Sequence, residues 1–130
     1  MKFTNTQFGD LEYDDQYVVL FPQGLIGFEQ YRKFIIIDDV DSEPFRWLVS
    51  LESADLSFPM LDPSLLVPDY RVGKAADAAP TVFVVATFGS RADKSSVNLR
   101  APILFDNQKR EGQQVILDDE SLPFTFPRGA

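Results

Sequence analysis

The 130-residue sequence contains no cysteine and no histidine. Without cysteine there is no disulfide framework, no thiolate nucleophile and no guide to redox compartment. Histidine is the one side chain whose ordinary pKa lies near neutrality, so imidazole relays, serine triads and the common zinc sites are excluded together. Carboxylate, lysine and hydroxyl chemistry remain. Long apolar runs are missing as well: the longest are about five residues, against the roughly 20 that a membrane-spanning helix needs. The opening MKFTNTQFGDLEYDD has no apolar signal core, which predicts a cytoplasmic location and no membrane association. Positive charge is scarce, with 12 Lys and Arg against 20 Asp and Glu, a net charge of −8. A field of that sign repels nucleic acid and anionic membrane and attracts basic protein surfaces, or serves only to keep the protein soluble.

What is present suits one folded domain spanning residues 1–130, because a chain of this length closes around a single hydrophobic core. Hydrophobic residues make up 45% of it, including 12 phenylalanines and one tryptophan that bury much area per residue. Periodicity of two dominates. In FRWLVSL, residues 45–51, Phe45, Trp47, Val49 and Leu51 share one face and Arg46, Leu48 and Ser50 the other, the pattern of a half-buried strand. TVFVVATF, residues 81–88, is apolar on both faces and predicts a central strand. Shorter strands are expected over 2–8, 17–21, 34–37, 57–61, 69–72, 96–99, 103–105 and 113–117. Nine prolines and seven glycines fall mainly between these runs, at the spacing of a meander or small barrel.

No segment sustains helical periodicity over the ten or so residues that a substantial helix needs. One- or two-turn connectors are expected at 29–32, at 62–66, where Asp62 precedes Pro63 as a cap precedes a first helical residue, and at 74–79, stopped by Pro80. Residues 122–130 show no periodicity and are expected to fray. The fold class that follows is all-β: a small, mostly antiparallel, barrel-like domain with short helical connectors.

Few residues suggest chemistry. Counted from Asp39 as a calcium loop, DVDSEP offers oxygens from Asp39, Asp41 and Glu43 at positions one, three and five, but Pro44 stands where the loop requires glycine and Ser50 where it requires glutamate. An acidic turn of Asp38, Asp39, Asp41 and Glu43 is therefore expected, either solvated or serving as an edge for a partner, with no metal and no cofactor. Asp118, Asp119 and Glu120 repel one another and are most cheaply solvated at a strand end. A glycosidase-like role would require one carboxyl to be buried with its pKa raised. A carboxylate-based hydrolase or a calcium-binding β module is the alternative that these two clusters leave open.

GLIG, residues 24–27, lacks the lysine and hydroxyl of a phosphate loop. Its glycines, with Pro22, predict a turn after a strand, with Leu25, Ile26 and Phe28 packed over a barrel mouth or presented in part to a partner. Asn98 is placed to bond its own neighbouring backbone, and Arg100 is either a partner contact or an outward strand residue. Pro102 lacks an amide donor and belongs at an edge or bulge, where another chain's peptide can dock. Lys109 and Arg110 are too few to form a phosphate-binding footprint.

Taken together, FPQGLIGFE at 21–29, NLRAPI at 98–103, and Asn107 to Gly112 followed by QQVIL resemble the flagellar assembly factor FliW family. Asp62-Pro63 and the later Asp69-Tyr70 add to the resemblance. Gly24, Gly27 and Phe28 match the first signature, Asn98, Leu99, Ala101 and Pro102 the second, and Asn107 and Gly112 the hairpin loop. The resemblance implies a β-barrel-like cytoplasmic protein without catalytic activity. Such a protein binds flagellin and, in competition with it, the translational regulator CsrA, whose repression of flagellin synthesis it relieves. It implies no direct contact with nucleic acid. The candidate partner-binding residues are Leu25, Ile26, Phe28, Asn98, Arg100, Pro102 and Asn107, with Pro22, Gly24, Gly27 and Gly112 as structural turns. Residues 71–80 are shorter and more alanine-rich than the acidic connector of the family, so partner preference can differ here.

Overall fold

The computed structural model describes residues 1–68, 70, 81–87, 96–119, 121–123 and, for backbone alone, 126–127. In chain order the strands are β1 (Lys2–Asn5), β2 (Gly9–Glu12), β3 (Val19–Leu20), β4 (Lys33–Asp38), β5 (Arg46–Ser50), β6 (Ser57–Leu61), β7 (Thr81–Thr87), β8 (Ser96–Val97), β9 (Ile103–Asp106), β10 (Glu111–Gln114) and β11 (Phe126–Pro127). The order β7-β6-β5-β4-β3-β10-β9 closes on itself because β7 also pairs with β9, giving a seven-stranded barrel. Its neighbours are antiparallel except at the short β3–β10 contact. β8 and β11 extend from the far end of β7, and β1 and β2 form a separate hairpin. The expected all-β barrel is what the chain forms.

Alternation sorts the side chains into three clusters. Val19, Phe21, Phe34, Leu48, Met60, Phe83, Ile103 and Phe105 fill the barrel. Phe21 and Phe34 meet edge to face at 5.2 Å, a favoured aromatic geometry. Leu61, Val84, Ala86, Val97 and Leu99 form a second cluster beneath β8. The third, Ile35, Trp47 and Val49, lies on the outer face of β4 and β5 and is covered by Phe8, Leu11 and Tyr13 of the hairpin segment. Here β5 departs from expectation: Leu48 faces the barrel and Trp47 the hairpin, so both faces are buried.

The hairpin itself replaces the single strand expected over 2–8. Asn5 is buried, and its side-chain oxygen accepts the backbone N–H groups of Gln7 (2.8 Å) and Phe8 (2.9 Å), turning the chain at Thr6. The connector at 62–66 forms as a 3-10 turn, Pro63–Leu65, with Asp62 accepting from Ser64 N at 2.9 Å. Residues 29–32 are not helical, because Phe28 N bonds back to Leu25 and the loop closes on itself. The 3-10 turn Val40–Ser42 lies within the acidic turn expected over Asp38 to Glu43, and another, Asp15–Tyr17, takes in the first residue of the strand expected over 17–21. Of the end expected to fray from residue 122, the described residues are held: Leu122 packs on the second cluster, Pro123 O accepts Leu99 N at 3.1 Å, and β11 pairs with β8. The expected strand at 69–72 (except Tyr70) and the connector at 74–79 lie outside the described residues.

Candidate protein-interaction surfaces

The first signature plugs one end of the barrel. Gly24 N bonds Phe21 O at 2.8 Å, and Gly24 sits at φ +67°, where a Cβ would come within 2.5 Å of the Glu29 backbone. Only glycine allows that crossing. Leu25 is buried in the barrel core, and Phe28 packs against it with its ring edge-on to Phe58 at 5.2 Å. Ile26, at the tip, is 49% exposed. The three apolar candidates thus divide into a buried plug, a half-buried collar and one presented side chain.

The second signature is mostly scaffold. Asn98 Oδ1 accepts Arg100 N at 3.2 Å and Ala101 N at 3.1 Å, the backbone-fixing role read for it in the sequence. Leu99, Ala101 and Pro102 are buried. Pro102 is therefore not an exposed docking edge: its carbonyl accepts Val115 N at 3.1 Å, extending the β9–β10 ladder past the barrel rim. Arg100 is half-buried, and its Nε donates to Leu122 O at 2.6 Å, so it pins the chain end.

Two residues outside the candidate set brace these stretches, and one of them joins the two. Gln114 Oε1 accepts Ile26 N at 2.9 Å while its Nε2 donates to Ala101 O at 3.0 Å, tying the first signature to the second with one side chain. Tyr70 donates its hydroxyl to Leu99 O. Burial pushes the Tyr70 phenol up to about 12, so it remains a donor across the physiological range. Neither role carries a local signal, since each partner lies far away in sequence.

At the opposite rim, residues 107–110 turn β9 into β10. The Asp106 carboxylate accepts Gln108 N (2.9 Å) and Lys109 N (3.1 Å), and Arg110 takes φ +54°. Asn107 is exposed. Gly112 faces the core, where a Cβ would lie 2.3 Å from the Phe21 ring. The first signature and the hairpin loop thus depend on each other through a close approach that no side chain could share.

The acidic residues do not converge. Arg46 grips Asp38 through Nε at 2.6 Å and Nη2 at 3.2 Å. Asp39 caps the following 3-10 turn by accepting Asp41 N at 3.1 Å and Ser42 Oγ at 3.2 Å. Asp41 and Glu43 are exposed. Asp119 is held below the usual carboxylate range by the Ser121 hydroxyl and then by its N–H, and Glu120 lies outside the described residues. Glu52 is likewise lowered, by the backbone N–H of Arg32 (2.5 Å) and then of Lys33 (2.8 Å). Among the described residues no carboxylate is buried and no group of three or more could hold a metal. The pairing of a buried acid with an ionised one that glycoside hydrolysis requires is not formed by them.

The FliW protein family profile matches residues 2–128. A flagellar assembly factor FliW of Caldicellulosiruptor saccharolyticus is 33% identical over 92% of this chain and 84% of its own length. Those of Thermosipho africanus and Thermotoga maritima are 34% identical (92% of this chain, 90% of the relative) and 32% identical (88% and 85%). Among solved structures, a crystal structure of the flagellar assembly factor FliW superposes with a TM-score of 0.85 at 26% identity, covering 98% of this chain and 96% of that one. With the family's profile spanning nearly every residue and its barrel reproduced, this chain belongs to the FliW family of flagellar assembly factors.

Proposed function

We propose that this protein is a non-catalytic cytoplasmic regulator of flagellum assembly that binds flagellin and CsrA in competition. Flagellin level then controls how much CsrA is left to repress flagellin translation. The observation that carries this reading is the family match over residues 2–128, which takes in both signatures and the hairpin loop between β9 and β10. The charge supports it: a net −8 steers association with a basic protein such as an RNA-binding regulator and disfavours RNA itself. The side-chain chemistry also supports binding over turnover, since the described carboxylates are capped, paired or solvated.

Calorimetric titration into purified CsrA, alone and with flagellin present, tests the reading. It predicts saturable binding to each, loss of the CsrA signal when flagellin is in excess, and weakening of the CsrA interaction as salt rises. No heat with either partner at tens of micromolar protein rejects it.

A further inference from the structure

The β1–β2 hairpin stands outside the barrel ladder. Among the described residues β1 and β2 pair with each other and with no further strand, and the seven barrel strands close without them. A two-stranded hairpin is marginal by itself in water, so this one owes its order to the surface on which it lies. That surface is the outer face of β4 and β5. Phe8, Leu11 and Tyr13 cover Ile35, Trp47 and Val49 there, and Phe8 meets the Trp47 ring edge to face at 5.6 Å. The sheet beneath is complete in its own pairing, with Ile35 opposite Val49 and Ile37 opposite Trp47.

The two ends of the hairpin are attached differently. At its turn, Thr6 N donates to Ala54 O at 2.8 Å, the Thr6 hydroxyl donates to Asp55, and the Ser57 hydroxyl donates to Gln7 Oε1 at 2.8 Å. Among the described residues these three are its hydrogen bonds to the barrel, and Thr6, Gln7 and Asp55 are all exposed, so water competes for the side-chain bonds. At the other end Met1 is 69% exposed, and Lys2 and Glu12 form an exposed ion pair at 3.7 Å. A cleft of about 840 Å³ lies there between Met1 and Tyr13 on one side and residues 35–38 of β4 on the other. The covalent link to β3 leaves from this end, through Asp14 and the 3-10 turn Asp15–Tyr17. The hairpin is thus hinged where it sits loosely and latched where it is hydrogen-bonded.

We propose that the hairpin is a strap that opens as one unit about Tyr13 and Asp14 while the barrel stays closed, baring Ile35, Trp47 and Val49. Thr6 and Gln7 are its latch. Opening breaks the bonds at the turn and leaves every strand pair of the barrel in place, whereas a barrel strand cannot leave without breaking the closed ladder. Latch strength therefore sets the fraction of molecules that present this apolar sheet face. Trp47, the one tryptophan of the chain and 7% exposed when covered, reports the opening.

Residue-resolved amide exchange of the full chain, in urea well below the unfolding midpoint, tests the strap, with the rate of Trp47 oxidation by N-bromosuccinimide as a second readout. Met1 and Tyr13 bond each other through N–H and C=O, so alternation places the amides of Phe3 and Leu11 in the same ladder. These two should exchange at a common rate, about a hundredfold or more faster than Ile35 and Val49 of the β4–β5 ladder and with a shallower dependence on urea. Thr6→Val combined with Gln7→Ala removes two latch bonds at exposed positions, and should speed both Phe3 and Leu11 exchange and Trp47 oxidation by about tenfold. Ser64→Ala, which removes an exposed hydroxyl bond to Asp62 away from the hairpin, should leave them within about twofold of wild type. If Phe3 and Leu11 exchange at the rate and urea dependence of Ile35 and Val49, the hairpin unfolds only with the barrel and the strap does not exist. Unequal rates at Phe3 and Leu11 would replace unit opening with piecemeal fraying. A latch variant within about twofold of wild type, or equal acceleration by Ser64→Ala, removes the latch and overturns the proposal.

Discussion

The two ends of the barrel wall contrast. At the plugged end, Phe21, Leu25, Leu99, Ala101 and Pro102 are buried, and Gln114 ties the loops that carry them together. At the seam between β3 and β4, pairing among the described residues stops after Phe34, and Tyr17 and Leu20 are 55% and 41% exposed. Two of the three stretches that resemble the family lie in the first region, and the third, Asn107 to Gly112, begins at the other rim. They resemble the family because they hold its shape: glycines where the backbone must cross, apolar side chains where the core must close. The residues recognisable at the plugged end therefore mark the scaffold.

The largest test of this contrast is on stability. Phe21→Ala removes a ring packed on Phe34 and against Gly112, and should cost about 3–5 kcal/mol in chemical denaturation. Tyr17→Ala, at the seam, should stay within about 0.5 kcal/mol of wild type. Equal losses at the two positions would erase the distinction between scaffold and surface.

Gln114 separates the regions more finely. Gln114→Glu keeps the acceptor for Ile26 N but loses the donor to Ala101 O and places a carboxylate against that carbonyl. A loss of about 1–3 kcal/mol is expected, larger than for Gln114→Ala, which removes both bonds without adding charge. Urea denaturation of the two variants measures the order. If Glu is tolerated as well as Ala, Gln114 does not bind the two loops together in solution.

Much of this fold was legible beforehand, and the misses share a cause. β4, β5, β6, β7 and β9 follow the period of two, and Asp62-Pro63 announces its turn. The sequence predicts one strand where the β1–β2 hairpin forms because the turn is made by the side chain of Asn5, while Lys2 to Phe8 otherwise alternates acceptably. β10 begins two residues earlier than expected because Gly112, which reads as a turn residue, is there to accommodate the Phe21 ring. The missing N–H of Pro102 predicts an edge or a bulge open to another chain, but Pro102 is buried and its carbonyl accepts Val115 N from the extended β10 segment. Contacts between residues far apart in sequence set all but the first of these, and no local window contains them.

The smallest effect comes from pH and lies at the start of β4. Glu52 accepts the N–H groups of Arg32 and Lys33, which lowers its carboxyl below the ordinary 4.5. A folded-state pKa that is depressed contributes stability above the unfolded value and loses it as pH falls through the folded one. Wild type should therefore exceed Glu52→Gln in melting temperature at neutral pH, and the gap should close once the pH drops below about 4.5 and passes the lowered value. Because Glu52 is exposed, solvent screening holds the difference under about 1 kcal/mol. Equal melting temperatures for wild type and Glu52→Gln at neutral pH would mean that the charge in the two N–H bonds to Glu52 adds nothing in solution.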